Sequence, residues 1–193
     1  MLTINSGEID VFESVNRASG GNQFTLHTTE GCKMNGRREQ TGETLSKNCD
    51  HSVNSNEGCG VEGPDQSTGQ ALNDISGGTY ATEWREEGIR MWFFEHGSEP
   101  ADLTGGQNAS PDPSTWGEAS ADFPNSHCDI GNHFSNASII INIALCGDWA
   151  GAEAVYNDEA NCPGQCSNFV ANNATAFEDA YWEIRSVRVF SAE

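Results

Sequence analysis

Short apolar segments alternate with long polar ones along this chain, and hardly any segment shows the period of an amphipathic helix. In residues 23–28, Phe24 and Leu26 alternate with polar side chains, which predicts a strand with one buried face. Residues 80–84 and 89–94 flank Arg85-Glu86-Glu87-Gly88 and predict a hairpin with its glycine at the turn. The pattern therefore predicts an all-β protein.

Two further strands are predicted in the second half of the chain. Residues 138–146 are apolar apart from Ser138 and Asn142, as in a central strand covered on both faces. Residues 181–190 alternate and predict the last strand, and residues 168–179 have room for a helical turn or two. Residues 31–78 are rich in Gly, Asn and Ser and contain three cysteines, so we expect disulfides to pin this long excursion.

The segment Glu8-Ile9-Asp10-Val11-Phe12-Glu13 places three carboxylates in an otherwise apolar run. Alternation puts Glu8 and Asp10 on one face of a strand, whereas Glu13 has the wrong parity. A β-bulge at Val11-Phe12 would insert one residue and return Glu13 to that face. We therefore expect the three carboxylates to form a row above one cleft.

A row of carboxylates predicts a particular chemistry. Crowded carboxylates repel each other, so at least one of them is expected to have a raised pKa and to carry a proton near neutral pH. Two carboxyl groups roughly 5 Å apart suit retaining glycoside hydrolysis, in which one attacks the anomeric carbon and the other protonates the departing oxygen. The alternative is a solvated edge strand, because acidic clusters arise easily in a chain with 29 acidic residues. The spacing alone leaves both interpretations open.

The formal net charge of −20 comes from 9 basic and 29 acidic residues. Nucleic acids and anionic membranes are polyanions that attract clusters of Lys and Arg, so we expect neither as a partner. No apolar run approaches the roughly 20 residues that a membrane span needs. The expected partner is neutral or cationic.

Seven cysteines without paired CxxC spacing argue against a zinc site and for disulfides in a secreted protein. Glycosylation sequons at Asn108, Asn136 and Asn173 agree with secretion. The connectivity stays open, and the odd count leaves one sulfur for an outside partner or a buried free thiol. Residues 1–5 lack the basic and apolar regions of a signal peptide, so we expect Met1 to be an internal or artificial start within a longer secreted protein.

Motifs along the chain carry a family resemblance that spacing alone does not supply. The sequence resembles family 16 glycoside hydrolases of the fungal, basidiomycete laminarinase type, with the ExDxxE signature at residues 8–13. The resemblance covers nearly the whole chain. Its other motifs lie at residues 23–28, 31–32, 58–61, 80–84, 92–94, 113–117, 146–151, 172–177 and 182–184.

The resemblance implies a concanavalin A-like jelly-roll β-sandwich of two curved antiparallel sheets, with a glucan groove across the concave face. It implies retaining endo-hydrolysis of β-1,3-glucan, or of β-1,3(4)-linked or branched glucan, by a monomer that needs no cofactor. Glu8 resembles the nucleophile, Asp10 the residue that orients and tunes it, and Glu13 the acid/base. No metal is expected in the catalytic site, and a structural calcium elsewhere stays open.

The resemblance also implies contacts with the sugar. His27 resembles the histidine that reaches toward the active carboxylates or the adjacent sugar, and Trp149 resembles an aromatic wall that stacks on a pyranose. Asn142 is expected to reach the cleft from the central strand. Glu83 is left out of the catalytic set. Four other tryptophans are expected to pack in the core or in loops: Trp84, Trp92, Trp116 and Trp182.

Members of that family place several strands ahead of the acidic strand, whereas only seven residues precede Glu8 here. We therefore expect residues 1–193 to be the C-terminal part of a single catalytic domain, incomplete at its N-terminus and inactive or weakly active alone. One alternative is a cell-wall transglycosylase, which passes the glycosyl-enzyme to a sugar instead of water. Another is a glucan-binding lectin, against which the intact Glu8, Asp10 and Glu13 argue.

Overall fold

The structure, a computed structural model, describes residues 6–17, 20–106 and 109–191. The sequon at Asn108 lies outside these residues, whereas Asn136 and Asn173 are exposed. The chain divides into two compact units. The first comprises residues 1–14 and 19–138, and the second comprises residues 15–18 and 139–193.

The first unit contains all the strands of the described part of the chain: β1 (Glu8–Glu13), β2 (Gln23–His27), β3 (Glu43–Thr44), β4 (Cys59–Glu62), β5 (Gly78–Arg85), β6 (Gly88–Glu95) and β7 (Ala121–Pro124). They form one sheet with the order β1-β2-β4-β3 and a second with the order β5-β6-β7. All neighbouring strands are antiparallel. The predicted hairpin is confirmed, because β5 and β6 pair from Gly78↔Glu95 to Arg85↔Gly88 across a two-residue turn.

The larger of two apolar clusters in the described part of the first unit contains residues from both sheets. Phe24 and Leu26 point into it from β2, and Met91 and Phe123 reach it from β6 and β7, all four with no exposed surface. Complete burial of a side chain of this size stabilises the fold by roughly 1.5–3 kcal/mol. The opposite face of β1 and β2 is thereby left to polar residues. The predicted all-β sandwich is confirmed.

Helices in both units are short. They are α1 (Gly69–Asp74), α2 (Ala101–Thr104), α3 (Ile130–His133), α4 (Gly147–Ala150) and α5 (Cys166–Asn172), together with a π-helical segment at Ala154–Glu159 and several single 3₁₀ turns. The helical turns expected in residues 168–179 are confirmed by α5 and by the 3₁₀ turn Ala174–Phe177. Among the described residues, no helix is long and apolar enough to cross a membrane.

Three disulfides form, which confirms the expectation drawn from the cysteine count. Cys32–Cys128 spans 96 residues and Cys49–Cys59 spans 10, and together they pin the long polar excursion of residues 31–78. Cys146–Cys166 lies in the second unit. Cys162 is the one free cysteine among the described residues and is half-buried.

The prediction of two strands in the second half of the chain is wrong. Residues 138–146 and 181–190 contain no strand. The large apolar side chains of 139–145 are 48–65% exposed, and those of 181–190 are 41–80% exposed. An apolar or alternating sequence becomes a strand only if its N–H and C=O groups find a partner strand, and the described residues of the second unit provide no ladder.

Candidate active site

The acidic strand β1 contains the predicted bulge. Its register against β2 runs Glu8↔His27 and Asp10↔Thr25, and then shifts to Glu13↔Gln23, so three residues of β1 oppose two of β2. The three acidic residues therefore pair with alternate residues of β2, which share one face of the sheet. Ile9 and Val11 pack on the opposite face against the core. The bulge thus aligns Glu8, Asp10 and Glu13 as predicted.

Asn22 fastens the bulge. The Oδ1 atom of this buried residue accepts a hydrogen bond from the backbone N–H of Glu13 at 2.8 Å, and its Nδ2 donates to the carbonyl of Val11 at 3.0 Å. The backbone N–H of Asn22 in turn donates to Ser67 Oγ at 2.8 Å. One side-chain amide therefore replaces the ladder hydrogen bonds that the extra residue interrupts. These hydrogen bonds fix the direction in which the Glu13 side chain points from the strand.

Crowding and burial alter the charge of the row. The pKa of Asp10 is raised to about 8 by burial, by the neighbouring charges of Glu8 and Glu13, and by a hydrogen bond with Glu8. The pKa of Glu13 is also raised, mainly by burial and further by Glu8, while the side chain of Thr25 opposes the shift. Asp10 therefore carries a proton at neutral pH, as expected of a crowded carboxylate. The site combines a proton donor with an ionisable neighbour.

His27 lies beside the row, with a polar side chain near each ring nitrogen. Nδ1 is 3.0 Å from Asn56 Oδ1, and Nε2 is 3.4 Å from Asp10 Oδ2. Burial lowers the pKa of His27, partly opposed by the charge of Glu8, so the ring is neutral at pH 7. Gly58, at φ +68°, makes room for the ring, because a Cβ there would lie 2.7 Å from His27 Cε1. The structure thus brings His27 to the three carboxylates.

Asp10, Glu13 and His27 offer atoms within 4.8 Å of one another, a spacing that one metal ion could span. A protonated Asp10 and a neutral His27 do not repel each other, which explains the same closeness without an ion. We therefore assign no metal to this cluster.

Comparison with known families identifies the fold that carries this site. Residues 3–190 match the model of the XgeA-like catalytic GH16 domain, where GH16 denotes glycoside hydrolase family 16. This chain belongs to glycoside hydrolase family 16. The resemblance drawn from the ExDxxE signature is thereby confirmed.

Fungal proteins provide the related sequences. A probable glycosidase of Schizosaccharomyces pombe is 47% identical over 191 residues, which cover 96% of this chain and 44% of that protein. An endo-1,3(4)-β-glucanase of Arthroderma benhamiae is 38% identical over 192 residues, which cover 95% of this chain and 41% of that protein. The chain thus spans less than half the length of these two family 16 relatives.

Solved family 16 structures share the fold. Laminarinase 16A from Phanerochaete chrysosporium, solved with 6-O-glucosyl-laminaritriose in its donor and acceptor sites, superposes with a TM-score of 0.87 at 44% identity. An elongating family 16 β-1,3-glucosyltransferase gives a TM-score of 0.76 at 34% identity. Each match covers 92% of this chain and 60% of the solved one. The jelly-roll expectation agrees with these neighbours.

The other two predicted sugar contacts of this family 16 chain lie in the second unit. Asn142 is exposed, and its backbone carbonyl accepts a hydrogen bond from Trp182 Nε1 at 3.0 Å. Because residues 138–146 form no strand, the idea that Asn142 extends from a central strand is wrong. Trp149 lies in α4 with 36% of its surface exposed. Binding of sugar by either residue stays a prediction.

Of the four tryptophans expected to pack in the core or in loops, Trp92 and Trp116 contact each other, whereas Trp84 and Trp182 are exposed. Trp92 is buried, and its ring packs edge to face against that of Trp116, with 5.2 Å between the ring centroids. Trp84 is 41% exposed and meets the ring edge of Phe134 at 6.5 Å. Glu83 pairs with Arg85 at 3.2 Å and with Arg90 at 2.6 Å, so its charge is balanced by two arginines.

Sequence reasoning missed Asn22 and Asn56. The only local signal for Asn22 is its place after Gly20-Gly21 at the start of β2, where an Asn reads as an ordinary turn residue. Asn56 lies 29 residues from its partner His27 in the chain. Nothing local predicts such a contact, so both contacts required the folded structure.

Proposed function

We propose that this chain carries the catalytic residues of a secreted enzyme that hydrolyses β-1,3-glucan, or β-1,3(4)-linked or branched glucan, internally and with retention of configuration. The observation that carries the proposal is the bulged strand β1, which aligns Glu8, Asp10 and Glu13 on one face. The raised pKa values of Asp10 and Glu13 support it, because the reaction needs a protonated carboxyl beside an ionised one. The relatives and solved neighbours give it a substrate class.

In the proposed reaction, Glu8 attacks the anomeric carbon and the bond to the leaving sugar breaks, giving a glycosyl-enzyme ester. Glu13, whose pKa is raised by burial, donates its proton to the departing glycosidic oxygen. The resulting Glu13 carboxylate then removes a proton from water, which attacks the same carbon and frees Glu8. Two inversions give net retention. Asp10, protonated between them, hydrogen-bonds Glu8 without adding a second charge beside it.

The remaining features fit a neutral polysaccharide outside the cell. A glucan carries no charge, so a chain of net charge −20 does not repel it. Disulfides persist in oxidising compartments, which supports secretion. Trp149 offers an exposed indole face for stacking on a sugar, and Asn142 offers an amide for its hydroxyls. A monomer suffices for this chemistry.

Covalent trapping tests the proposal with a single turnover, which even a weakly active chain performs. A laminarin oligosaccharide fluoride carrying fluorine at C2 forms the glycosyl-enzyme but slows its breakdown. We expect intact-mass analysis to show one glycosyl adduct on the 193-residue chain, on the peptide that contains Glu8. Glu8→Gln should abolish the adduct, and Glu43→Gln, an exposed carboxylate on β3 of the same sheet, should leave it intact. No adduct on the wild-type chain, or an equal adduct on Glu8→Gln, would overturn the proposal.

Glucosyl transfer is the second candidate, favoured by the elongating β-1,3-glucosyltransferase among the solved neighbours. It shares the glycosyl-enzyme and differs only in the acceptor that attacks it. Incubation with laminariheptaose followed by mass spectrometry separates the two functions. Shorter products alone mean hydrolysis, and products longer than seven units mean transfer.

A further inference from the structure

Asn56 has no role in the chemistry described so far, although its side chain meets the site. Its Oδ1 lies 3.0 Å from His27 Nδ1, and the opposite nitrogen of the ring faces Asp10. A carbonyl oxygen can only accept a hydrogen bond, so Nδ1 must carry the hydrogen. In a neutral imidazole the other nitrogen, Nε2, is then a bare acceptor.

The backbone conformation around Asn56 supports its contact with His27. Asn54, Ser55 and Asn56 have φ values of 50°, 56° and 64°, three consecutive residues in the left-handed region that side chains other than Asn and Asp rarely adopt. The disulfide Cys49–Cys59 closes the loop that contains this turn. This turn, closed by the disulfide, therefore holds the side-chain amide of Asn56 beside Nδ1 of His27.

We propose that Asn56 is a positioning residue that fixes the tautomer of His27, and through it the protonation of Asp10. With Nε2 bare, His27 has no hydrogen to donate to Asp10 Oδ2 and does not stabilise a carboxylate there, which favours the protonated carboxyl. If Nε2 carried the hydrogen, it would donate to Asp10 and favour the carboxylate, placing a second negative charge beside Glu8. The side-chain amide of Asn56 thus sets the charge of the catalytic row from outside it. The catalytic meaning of this step rests on the proposed glucanase function.

The geometry at Asp10 supports this assignment. Oδ2 of Asp10 is buried and has no hydrogen-bond partner among the described residues although Nε2 lies only 3.4 Å away, as expected if Nε2 carries no hydrogen. The other titratable groups around the ring are Glu8, Glu13 and His51. The hydrogen-bond partner of Nδ1 is Asn56.

The tautomer is read directly by ¹⁵N NMR of the histidine rings in the full chain at pH 7, because protonated and bare ring nitrogens differ widely in chemical shift. The His27→Gln variant identifies the His27 signals by their loss. We expect wild-type His27 to carry its hydrogen on Nδ1. Asn56→Ala should move it predominantly to Nε2, and Asn56→Asp, which keeps an acceptor oxygen, should leave it on Nδ1.

Asn54→Ala is the matched control, since it introduces the same strain in the same turn without touching the ring. It should keep the wild-type tautomer. An unchanged tautomer in Asn56→Ala, or an equal change in Asn54→Ala, would overturn the inference. The NMR readout needs no turnover, so its failure is distinct from a failure of the trapping experiment. On laminarin we expect Asn56→Ala to lose about tenfold in kcat/KM and to shift the pH profile, and Asn56→Asp to restore most of the rate.

Discussion

The two units of this chain differ in how far their apolar side chains are buried. In the first unit, Phe24, Leu26 and Phe123 are completely buried between two sheets. In the second, Ile139, Ile140 and Ile141 are more than half exposed, although their sequence has an equally strong preference for a strand. The difference is backbone pairing: β2 lies between β1 and β4, whereas residues 139–145 have no neighbouring strand among the described residues. Apolar sequence predicts burial only where partners for the backbone are present.

Hydrogen exchange should show the largest contrast. Amides of β2 and β6 lie in paired strands of the core and are expected to exchange through global unfolding, which for an ordinary domain costs at least about 5 kcal/mol. That corresponds to protection of roughly 10⁴-fold over the unfolded chain. Amides of residues 139–145 donate to no backbone carbonyl of a described residue, so they should exchange within about tenfold of the unfolded rate. Equal protection in both segments, measured by mass spectrometry, would refute the contrast.

Core truncation should show the same contrast in stability. Phe123→Ala removes a fully buried ring and is expected to lower the free energy of unfolding by about 3–5 kcal/mol. Ile140→Ala removes a side chain that is 63% exposed and should change it by less than about 0.5 kcal/mol. Urea unfolding followed by circular dichroism measures both. A loss above about 2 kcal/mol in Ile140→Ala would mean that residue 140 is buried in solution.

The same comparison separates what sequence could predict from what it could not. The bulge, the hairpin and the disulfide-pinned excursion follow from residue parity, turn residues and cysteine placement, all of which are local. Folding brings together the residues on which three other features depend. These features are the hydrogen bonds of Asn22 at the bulge, the pairing of His27 with Asn56 and the cysteine connectivity. The strands predicted at 138–146 and 181–190 failed for the same reason, because an apolar run or an alternating pattern says nothing about a partner strand.

Asn22→Ala should show how much the hydrogen bonds at the bulge contribute to the stability of the first unit. It leaves the Glu13 N–H and the Val11 carbonyl without their hydrogen-bond partner, and we expect a loss of about 2 kcal/mol in the free energy of unfolding. Trapping of a glycosyl adduct at Glu8 should fall with it, because Glu13 loses its fixed direction. Asn125→Ala, which removes one exposed hydrogen bond to the Glu86 carbonyl, is the matched control and should cost less than about 0.5 kcal/mol. Equal losses in the two variants would show that Asn22 does not hold the bulge.

The row of carboxylates on β1 is the exception within the first unit, because burial of Asp10 there is unfavourable to its charged form. Asp10 has a pKa of about 8 in the folded chain and an ordinary value of 3.8. Between these two values the folded state retains a proton that the unfolded state releases. The free energy of unfolding contributed by Asp10 is therefore fully present below pH 4 and is lost as the pH rises through 8. The predicted change is the reverse of that for a salt-bridged carboxylate, whose stabilisation is lost toward acid.

Asp10→Asn should remove this dependence, since an amide has no proton to release in this range. We expect the variant to gain stability relative to wild type as the pH rises from 5 to 8, by at least about 1 kcal/mol, the equivalent of roughly one pKa unit. Urea unfolding at pH 5, 6.5 and 8 measures the difference. Because Glu8, Glu13 and His27 are present in both proteins, their own titration largely cancels. A difference that stays constant with pH would mean that Asp10 is ionised in the folded chain, and the proposal that the tautomer of His27 favours a protonated Asp10 would then be wrong.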